Sequence, residues 1–429
     1  MSLNLLIDSA LGGNYWILVF CFAFGYHLIF KNDIYNFFDP LSLAIITLST
    51  SSALVTRLLL TTAIQEKYFF CYWACNIALL IGFKHRKRKV RKTSLHILKK
   101  SFHMRHLFVF LLVISVIHFS MTTYIFLTIG LAIFTDNPSE SRVGMSAAFK
   151  WGNIVLEGSR TTGLLTSIFL ASYYTGNNAR KILCSILAVG FILSFLSIGN
   201  KSAVFDIAFI IGGYLVYIKS IGIQIPKVMN YAVYILVGLG FSYFSYAAAV
   251  DSQSSSGIDK FLTRIALSGD SYLYFFVDNL YDTLKYTYNP ITYLLHIVTS
   301  AFGIKLIENN LGVRIYGLST GDYDSGFGPN PQYVVEGMIF FGMYLAPLYA
   351  YVIGYLFKYL REISIGESGN YSFLLSTIFL SRAGTVLIDI NMSTYNFISC
   401  ILIVTLSYMA ANLFLGYKIF SLHNDGELC

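Results

Sequence analysis

The side chains best suited to chemistry lie in two stretches of an otherwise apolar chain. The stretch "RIALSGDSYLYFF" contains Arg264 and Asp270, and "GFGPNPQYVVEGMIFFG" leads from a glycine- and proline-rich turn into an apolar segment with Glu336. Acids at membrane depth are costly and commonly mark functional sites. A carboxylate at such a position can act as a general acid or base. We therefore predict Glu336 as the first candidate for a functional carboxylate, with Asp270 as the second choice.

Each candidate acid also has a structural interpretation. Asp270 follows a glycine and precedes an apolar run, which fits a helix cap. Glu336 comes five residues after Pro331, where the positive end of a helix dipole favours a negative charge. His296 is a third candidate base, but it lies in the apolar string "ITYLLHIV".

A set of basic side chains could bind an anionic group. The arginine guanidinium is a planar fork of donors that matches phosphate oxygens, whereas lysine offers a point charge. The candidates at predicted external positions are Arg264, Arg314, Arg382, Arg160 and Lys201. For Arg160 the structural alternative is an ion pair with Glu157, three residues earlier. An anion site requires that several of these cations converge on one cavity.

The composition indicates an integral membrane protein made of helices. Of the 429 residues, 56% are hydrophobic and only 12% are charged, about half the usual charged share. Apolar runs of about 20 residues, enough to cross a bilayer, recur along the chain. We predict an all-α polytopic fold with about 11 transmembrane helices, near residues 15–30, 40–60, 67–83, 107–134, 153–175, 182–198, 203–218, 228–249, 333–357, 371–390 and 395–417.

The distribution of basic residues predicts the topology. Residues 84–106 contain ten of the 30 Lys and Arg and no acid. Between two spans, such a segment is a cytoplasmic loop that also contacts anionic lipids, so the net charge of +8 does not indicate nucleic-acid binding. By parity, residues 1–249 hold spans one to eight, 250–332 form one large external loop, 333–417 hold spans nine to eleven, and 418–429 form a cytoplasmic tail.

The large loop is rich in aromatic residues at roughly helical spacing. Part of it is therefore expected to fold as amphipathic helices along the membrane surface. Its tyrosines fit either a sugar-stacking wall or an interfacial aromatic belt: Tyr272, Tyr274, Tyr281, Tyr286, Tyr288 and Tyr293. Cys71 and Cys75 are one helical turn apart without a histidine at ligand spacing, so neither a metal site nor a cofactor is predicted.

The chain resembles the bacterial O-antigen polymerases, the Wzy-type oligosaccharide repeat-unit polymerases. The resemblance rests on the number of spans, on one dominant external loop late in the chain, and on the two stretches "RIALSGDSYLYFF" and "GFGPNPQYVVEGMIFFG". The turn "GNKSAV" is similar to a Gly-x-Arg turn of the family, with Lys201 in the place of arginine. That change keeps the charge and loses the bidentate fork.

The resemblance implies a membrane glycosyltransferase with a GT-C-like fold. Such an enzyme moves a growing glycan from undecaprenyl diphosphate onto the non-reducing end of another lipid-linked repeat unit, without metal, cofactor or nucleotide sugar. The reaction takes place at the periplasmic face of the bacterial inner membrane, and a chain-length-regulating co-polymerase is an expected partner. The five cations would bind the diphosphate and glycan, and Glu336 or Asp270 would act on the attacking hydroxyl.

Other functions remain open at the level of sequence. An O-antigen ligase would share the fold, the loop and the lipid donor. A polysaccharide flippase or transporter would be expected to show internal repeats and broken helices in matching halves, and the sequence has no convincing repeat. A membrane O-acyltransferase would need a histidine within the membrane, for which His27 and His118 are the residues inside predicted spans.

The predicted topology can be tested with reporter fusions. We expect an alkaline phosphatase fusion to be inactive after residue 100 and active after residue 256, because the enzyme folds only outside the cytoplasm. A green fluorescent protein fusion at the same two positions is the reciprocal control. An active phosphatase at residue 100 with an inactive one at residue 256 would reverse the topology.

Overall fold

The computed structural model is helical throughout the residues that it describes. These are residues 14–34, 39–85, 103–128, 130, 150–173, 177–197, 203–220, 238, 269–301, 304–323, 328–363 and 370–416, and no strand occurs among them. The helices are α1 (Tyr15–Phe30), α2 (Pro40–Leu60), α3 (Glu66–His85), α4 (Met104–Thr128), α5 (Lys150–Tyr173), α6 (Asn178–Ser197), α7 (Ala203–Ser220), α8 (Asp270–Val277), α9 (Tyr281–Leu284), α10 (Pro290–Ala301), α11 (Leu311–Thr320), α12 (Gln332–Ile363), α13 (Asn370–Arg382) and α14 (Ile390–Leu415).

Several of these helices are suited to a membrane. Within the described ranges, five segments are long and apolar enough, by length and composition, to cross one: Pro40–Leu60, Met104–Thr128, Asn178–Ser197, Gln332–Glu362 and Ile390–Leu415. The fourth of these is interrupted at Gly342. The prediction of an all-α protein with membrane-spanning helices is confirmed at this level. The predicted first and second spans, 15–30 and 40–60, coincide with α1 and α2. Most of the predicted eighth span, most of the basic segment 84–106 and the tail 418–429 lie outside the described residues.

The chain divides into two compact units. The first combines residues of Met1–Lys89, Ile235–Ile363 and Leu380–Tyr395, and the second combines residues of Val90–Tyr234, Ser364–Phe379 and Asn396–Cys429. The divisions at 249 and 332 in the sequence prediction concern membrane topology, and the compact units do not test them. The units join segments that are distant in sequence, because the apolar faces of early and late helices bury each other.

In the first unit, α3 packs tightly along the second part of α12. A Cβ atom added at Gly82 would overlap the backbone of Tyr351, and one added at Gly354 would overlap the backbone of Leu79. Small residues at these positions let the two backbones approach closely, as is common between membrane helices. The Phe83 ring fills the space beside this contact, 5.4 Å from the ring of Phe357.

A charged cluster holds one end of this helix pair. Arg361 is 3% exposed and donates to both carboxylate oxygens of Asp39, at 2.5 and 2.9 Å. Asp33 accepts from Lys84 at 2.5 Å and from Lys358 at 2.6 Å. A bidentate arginine–carboxylate pair fixes orientation as well as distance. The cluster therefore ties the α1–α2 connection to the ends of α3 and α12.

Helix α12 is not the continuous span that the sequence predicted. Its helical geometry breaks at Gly342, which has φ 77° and ψ 169°, a backbone conformation that is essentially restricted to glycine. Residues 332–341 form a short arm that folds back on residues 343–363. A Cβ atom at Gly337 would lie 3.0 Å from the Tyr349 ring, although these two positions would be about 18 Å apart along a straight helix.

The bend leaves backbone groups without helical partners, and neighbouring segments satisfy them. The Tyr286 amide donates to the Ile339 carbonyl oxygen at 2.7 Å, at the end of the short arm. The Met343 amide donates to the Tyr281 hydroxyl at 3.3 Å. Pro347 lacks the amide that would bond the Met343 carbonyl, and the Cys71 thiol donates to that oxygen instead, at 3.6 Å.

The predicted span 371–390 is wrong as a single helix. Helix α13 ends at Arg382 and a 3₁₀ turn, Ala383–Leu387, follows it. The Thr385 hydroxyl donates to the Arg382 carbonyl at 2.7 Å, and a Cβ at Gly384 would lie 3.3 Å from the Pro40 carbonyl oxygen. This close packing against the start of α2 and the side-chain bond accompany the change from α-helical to 3₁₀ geometry.

The large loop is partly helical, as predicted. Helices α8, α9, α10 and α11 all lie between residues 269 and 323. Helix α8 packs through Phe276, whose ring stacks on Tyr68 with centroids 4.9 Å apart. Tyr68 also donates to Asn279, at the C-terminal end of α8. The described part of this loop is therefore a folded part of the first unit.

In the second unit, a buried histidine of α4 contacts hydroxyl groups of α5 and α6. His118 of α4 is fully buried, with Nδ1 2.8 Å from the Ser159 hydroxyl and Nε2 2.7 Å from the Ser194 hydroxyl. Both ring nitrogens are thus engaged. This favours the structural interpretation of His118 over the membrane-embedded histidine of an O-acyltransferase, and His27 of α1 is exposed.

The bend at Gly342 should not tolerate a side chain. We expect Gly342→Ala to lower the melting temperature of the purified protein in detergent, because the conformation costs about 1–3 kcal/mol for other residues and the new Cβ would overlap the Tyr286 hydroxyl. Gly25→Ala is the matched control, since nothing lies within 4 Å of its added Cβ and alanine favours helix. Equal melting temperatures for both variants would contradict the assigned bend.

Candidate acid–base site

The short arm of α12 begins in the interior of the first unit. The Gln332 amide donates to the Ile388 carbonyl at 2.9 Å. Its side-chain oxygen Oε1 accepts from the Ser51 hydroxyl at 3.2 Å. Ser51 lies near the middle of α2, a helix long enough to cross a membrane. The arm therefore starts level with the middle of a candidate span and not at its end.

A buried polar network holds this start. The Tyr333 hydroxyl donates to Asn76 Oδ1 at 3.0 Å, and the Tyr26 hydroxyl donates to the same oxygen at 3.1 Å. Tyr26 and Tyr72 also contact the Ser52 hydroxyl, at 2.9 and 3.0 Å. Buried polar groups fix a structure strongly when they are satisfied. This network determines where the arm begins and hence where its acid lies.

Glu336 is the central side chain of the arm. It is fully buried, and each of its carboxylate oxygens accepts one hydrogen bond. The Tyr349 hydroxyl donates to Oε2 at 2.9 Å, and the Ile390 backbone amide donates to Oε1 at 3.1 Å. Tyr349 lies about 10 Å along the helix from the Gly342 bend. The sequence predicted Glu336 at the external end of a straight span, and the fold-back places it deeper.

Asp389 is a second carboxylate beside Glu336, close enough for their charges to interact. Its Oδ1 accepts from the amides of Asn391 at 2.8 Å and Met392 at 3.0 Å, so that it caps α14. Desolvation raises the pKa of the Asp389 carboxyl to about 6, while these two amides act in the opposite direction. Unlike Glu336, Asp389 is partly exposed.

Two tyrosines of the large loop line the same region. Tyr293 of α10 is 1% exposed, and its hydroxyl lies beside the Asn391 amide. Burial, and then the charge of Asp389, raise the pKa of Tyr293 well above its ordinary value. Burial also raises the pKa of Tyr288, which the nearby Arg314 partly offsets. The Arg314 guanidinium lies over the Tyr288 ring, 5.8 Å from its centroid.

Only some of the predicted basic residues can be related to this region. Arg382 is buried, with 4% of its surface exposed, at the end of the helix that leads into Asp389. Arg160 belongs to the second unit, where it pairs with Glu157 and lies 4.5 Å from the Phe195 ring centroid. Its structural interpretation is therefore supported. Arg264 and Lys201 lie outside the described residues.

The other candidate acid–base residues have different surroundings. Asp270 is the first residue of α8 and is partly exposed. The preceding Gly269 packs against Ser51, so the starts of α8 and of the short arm adjoin the same serine. His296 accepts through Nδ1 from the Leu306 and Ile307 amides, at 3.2 and 3.1 Å. The Nδ1 lone pair of His296 is therefore used to hold the 306–307 backbone. Because it is already occupied, it is not available as a base.

The tyrosines of the loop do not form one wall or one belt. Tyr272, Tyr288 and Tyr293 are buried. Tyr281 and Tyr286 instead lie at the Gly342 bend, where they contact Met343 and Gly342. Aromatic composition alone could not separate these packing roles from sugar stacking.

The arrangement is suited to proton transfer. Two carboxylates lie together, one shielded and held by two donors and the other capping a helix at a partly open position. Acids in different environments can take different protonation roles. In the described part of the chain, no three His, Cys, Asp or Glu side chains come together as metal ligands. Sequence reasoning missed Asp389 and Tyr349, because their importance depends on the fold-back.

No known protein family profile matches the chain, and neither a curated protein nor a solved structure matches it.

The hydrogen bond from Tyr349 to Glu336 should contribute measurably to stability. We expect Tyr349→Phe to lower the melting temperature, because an unsatisfied buried acceptor costs about 1–3 kcal/mol. Tyr344→Phe is the matched control, since Tyr344 is 99% exposed on the same helix. In a double-mutant cycle with Glu336→Gln, the two effects should be non-additive. Strictly additive effects would show that the contact contributes nothing.

Proposed function

We propose that the protein is a membrane glycosyltransferase that polymerises lipid-linked oligosaccharide repeat units. It would move the growing glycan from undecaprenyl diphosphate onto the non-reducing end of another lipid-linked unit, at the periplasmic face of the bacterial inner membrane. The observation that carries the proposal is the Glu336–Asp389 pair, which the broken helix α12 and the start of α14 bring together. Discontinuous helices with buried polar ends often form substrate sites in membrane proteins.

The chemistry needs a carboxylate and cations at the membrane boundary. The hydroxyl of the acceptor sugar requires a proton acceptor or an orienting acceptor, and one carboxylate of the pair supplies it. The diphosphate leaving group requires positive charge as its bond to the sugar breaks. Arg314 and Arg382 are candidates in the described residues, and Arg264 and Lys201 remain candidates from the sequence. The proposal invokes no metal ion or cofactor.

Two other functions share parts of this support. A polysaccharide flippase or transporter is favoured by one specific observation, the α12 helix broken at Gly342, because broken helices are common in transporters. An O-antigen ligase would use the same lipid donor and transfer the glycan to the lipid A core. The proposed transferase differs from both in its product, a lipid-linked glycan chain longer than one repeat.

A deletion strain should distinguish these functions on a lipopolysaccharide gel. We expect loss of the ladder of long chains while a single repeat remains on the core, because only polymerisation is removed. A ligase deletion would leave no O-antigen on the core, and a flippase deletion would stop export of repeat units. Restoration of the ladder by the plasmid-borne wild-type gene is the control. Unchanged ladders in the deletion strain would contradict the proposed function.

Purified protein should also convert lipid-linked repeat units into longer chains in detergent. The reaction should proceed in the presence of a chelator and without nucleotide sugar. Heat-denatured protein is the control for conversion by contaminants during sample preparation.

A further inference from the structure

We propose that Asp389 accepts the proton in this site and that Glu336 is a positioning residue, an inference that rests on the function proposed above. The sequence assigned the proton-accepting role to Glu336. The reassignment follows from the different hydrogen bonding and exposure of the two carboxylates.

Glu336 is poorly placed to meet a sugar hydroxyl. It is fully buried, and its two oxygens are held by the Tyr349 hydroxyl and the Ile390 amide, at 2.9 and 3.1 Å. These two donors belong to the second arm of α12 and to the start of α14. Glu336 therefore connects three backbone segments, and through Ile390 it fixes the position of the preceding residue, Asp389.

Asp389 has the complementary properties. It is partly exposed, and the two amides that it caps both bond to Oδ1. Within the described residues no hydrogen bond reaches Oδ2, which leaves this oxygen for a substrate hydroxyl. Its ordinary role as a helix cap uses one oxygen only.

Asn391 adds an independent polar group at the same place. The residue is 3% exposed, and its Oδ1 has no hydrogen-bond partner among the described residues. Its amide group lies beside the Tyr293 hydroxyl, which is itself affected by the charges of Asp389 and Glu336. A buried acceptor without a donor is costly, and a sugar hydroxyl would satisfy it. The geometry points to a hydroxyl-bearing ligand held between Asp389 and Asn391.

The proposed step is a balanced glycosyl transfer. The acceptor hydroxyl oxygen forms a bond to the anomeric carbon of the lipid-linked glycan, and the bond from that carbon to the diphosphate oxygen breaks. The diphosphate leaves with the bonding electron pair. The proton of the attacking hydroxyl passes to Asp389 Oδ2 and is later released to water.

Carboxylate labelling tests the assignment without reference to activity. Full-length protein in detergent is treated with a water-soluble carbodiimide and glycine ethyl ester, and labelled peptides are quantified by mass spectrometry. We expect Asp389 to be labelled and Glu336 to remain unlabelled until the protein is denatured. The exposed Asp282, with 58% of its side chain accessible, is the positive control. Equal labelling of both residues, or preferential labelling of Glu336, would overturn the inference.

Two variants then separate the roles in the conversion of lipid-linked repeat units. Asp389→Asn retains the helix cap, because asparagine caps about as well as aspartate, but removes the basic oxygen. We expect its transfer rate to fall about a hundred- to ten-thousand-fold at normal protein abundance. Glu336→Gln keeps one oxygen that can accept a hydrogen bond, so the positioning role is partly preserved. This variant should therefore retain more activity than Asp389→Asn. Asp282→Asn should behave as wild type.

The pH profile supplies the readout that a structural role would not change. The Asp389 base works when ionised, so the wild-type rate should fall as pH is lowered through about 6. The titratable groups facing it are Glu336 and Tyr349 of α12 and Tyr293 of α10. Glu336→Gln should keep this acidic limb, and the residual rate of Asp389→Asn should lack it. The reverse pattern would make Glu336 the base.

The outcomes separate this inference from the proposed function. If wild-type protein fails to convert repeat units, the function fails and the catalytic assignment fails with it, whatever the labelling result. If wild-type protein is active and Asp389→Asn is equally active, only the assignment to Asp389 fails.

Discussion

The fold of the first unit depends on a helix that reverses direction inside the protein. Residues 332–341 stop at Gly342 and residues 343–363 return beside them. In an apolar environment every backbone amide and carbonyl needs a partner within the protein. Three groups supply such partners for the backbone beside the break: the Tyr286 amide, the Tyr281 hydroxyl and the Cys71 thiol. Irregular backbone at this point is stable only because two other segments, α3 and the stretch around α9, supply these partners.

The same reversal explains how a carboxylate can be buried at Glu336. A straight helix would carry Glu336 away from Tyr349, and neither would reach the start of α14. The fold-back brings a hydroxyl donor and a backbone amide to the two oxygens of one side chain. A buried acceptor that lacks its donor costs about 1–3 kcal/mol, so both hydrogen bonds are needed to keep this side chain inside the protein. The acid is therefore part of the structure as well as of the proposed chemistry.

The positions of the helices could be predicted from the sequence better than the contacts between them. Apolar runs set the ends of α1 and α2, because burial and length follow directly from composition. The glycine- and proline-rich run before Gln332 is the sequence signal that singled out Glu336 as a candidate. The bend at Gly342 could not be predicted, since a glycine within an apolar helix breaks it only when distant residues such as Tyr286 hold the break. Asp389 lies in a short turn of the sequence, and its proximity to Glu336 depends on that bend.

The ion pair between Arg361 and Asp39 constrains the number of residues in the 343–363 arm of α12. One end of the 343–363 arm is fixed by this pair and the other by the contacts around Gly342. Inserting one residue between Tyr349 and Arg361 would rotate the two ends by about 100° relative to each other and shift them by about 1.5 Å. The Tyr349 hydroxyl would then turn away from Glu336. Evolution can exchange the outward side chains of this segment, such as Leu348 and Val352, which are 61% and 51% exposed, but a change in the number of residues would be selected against.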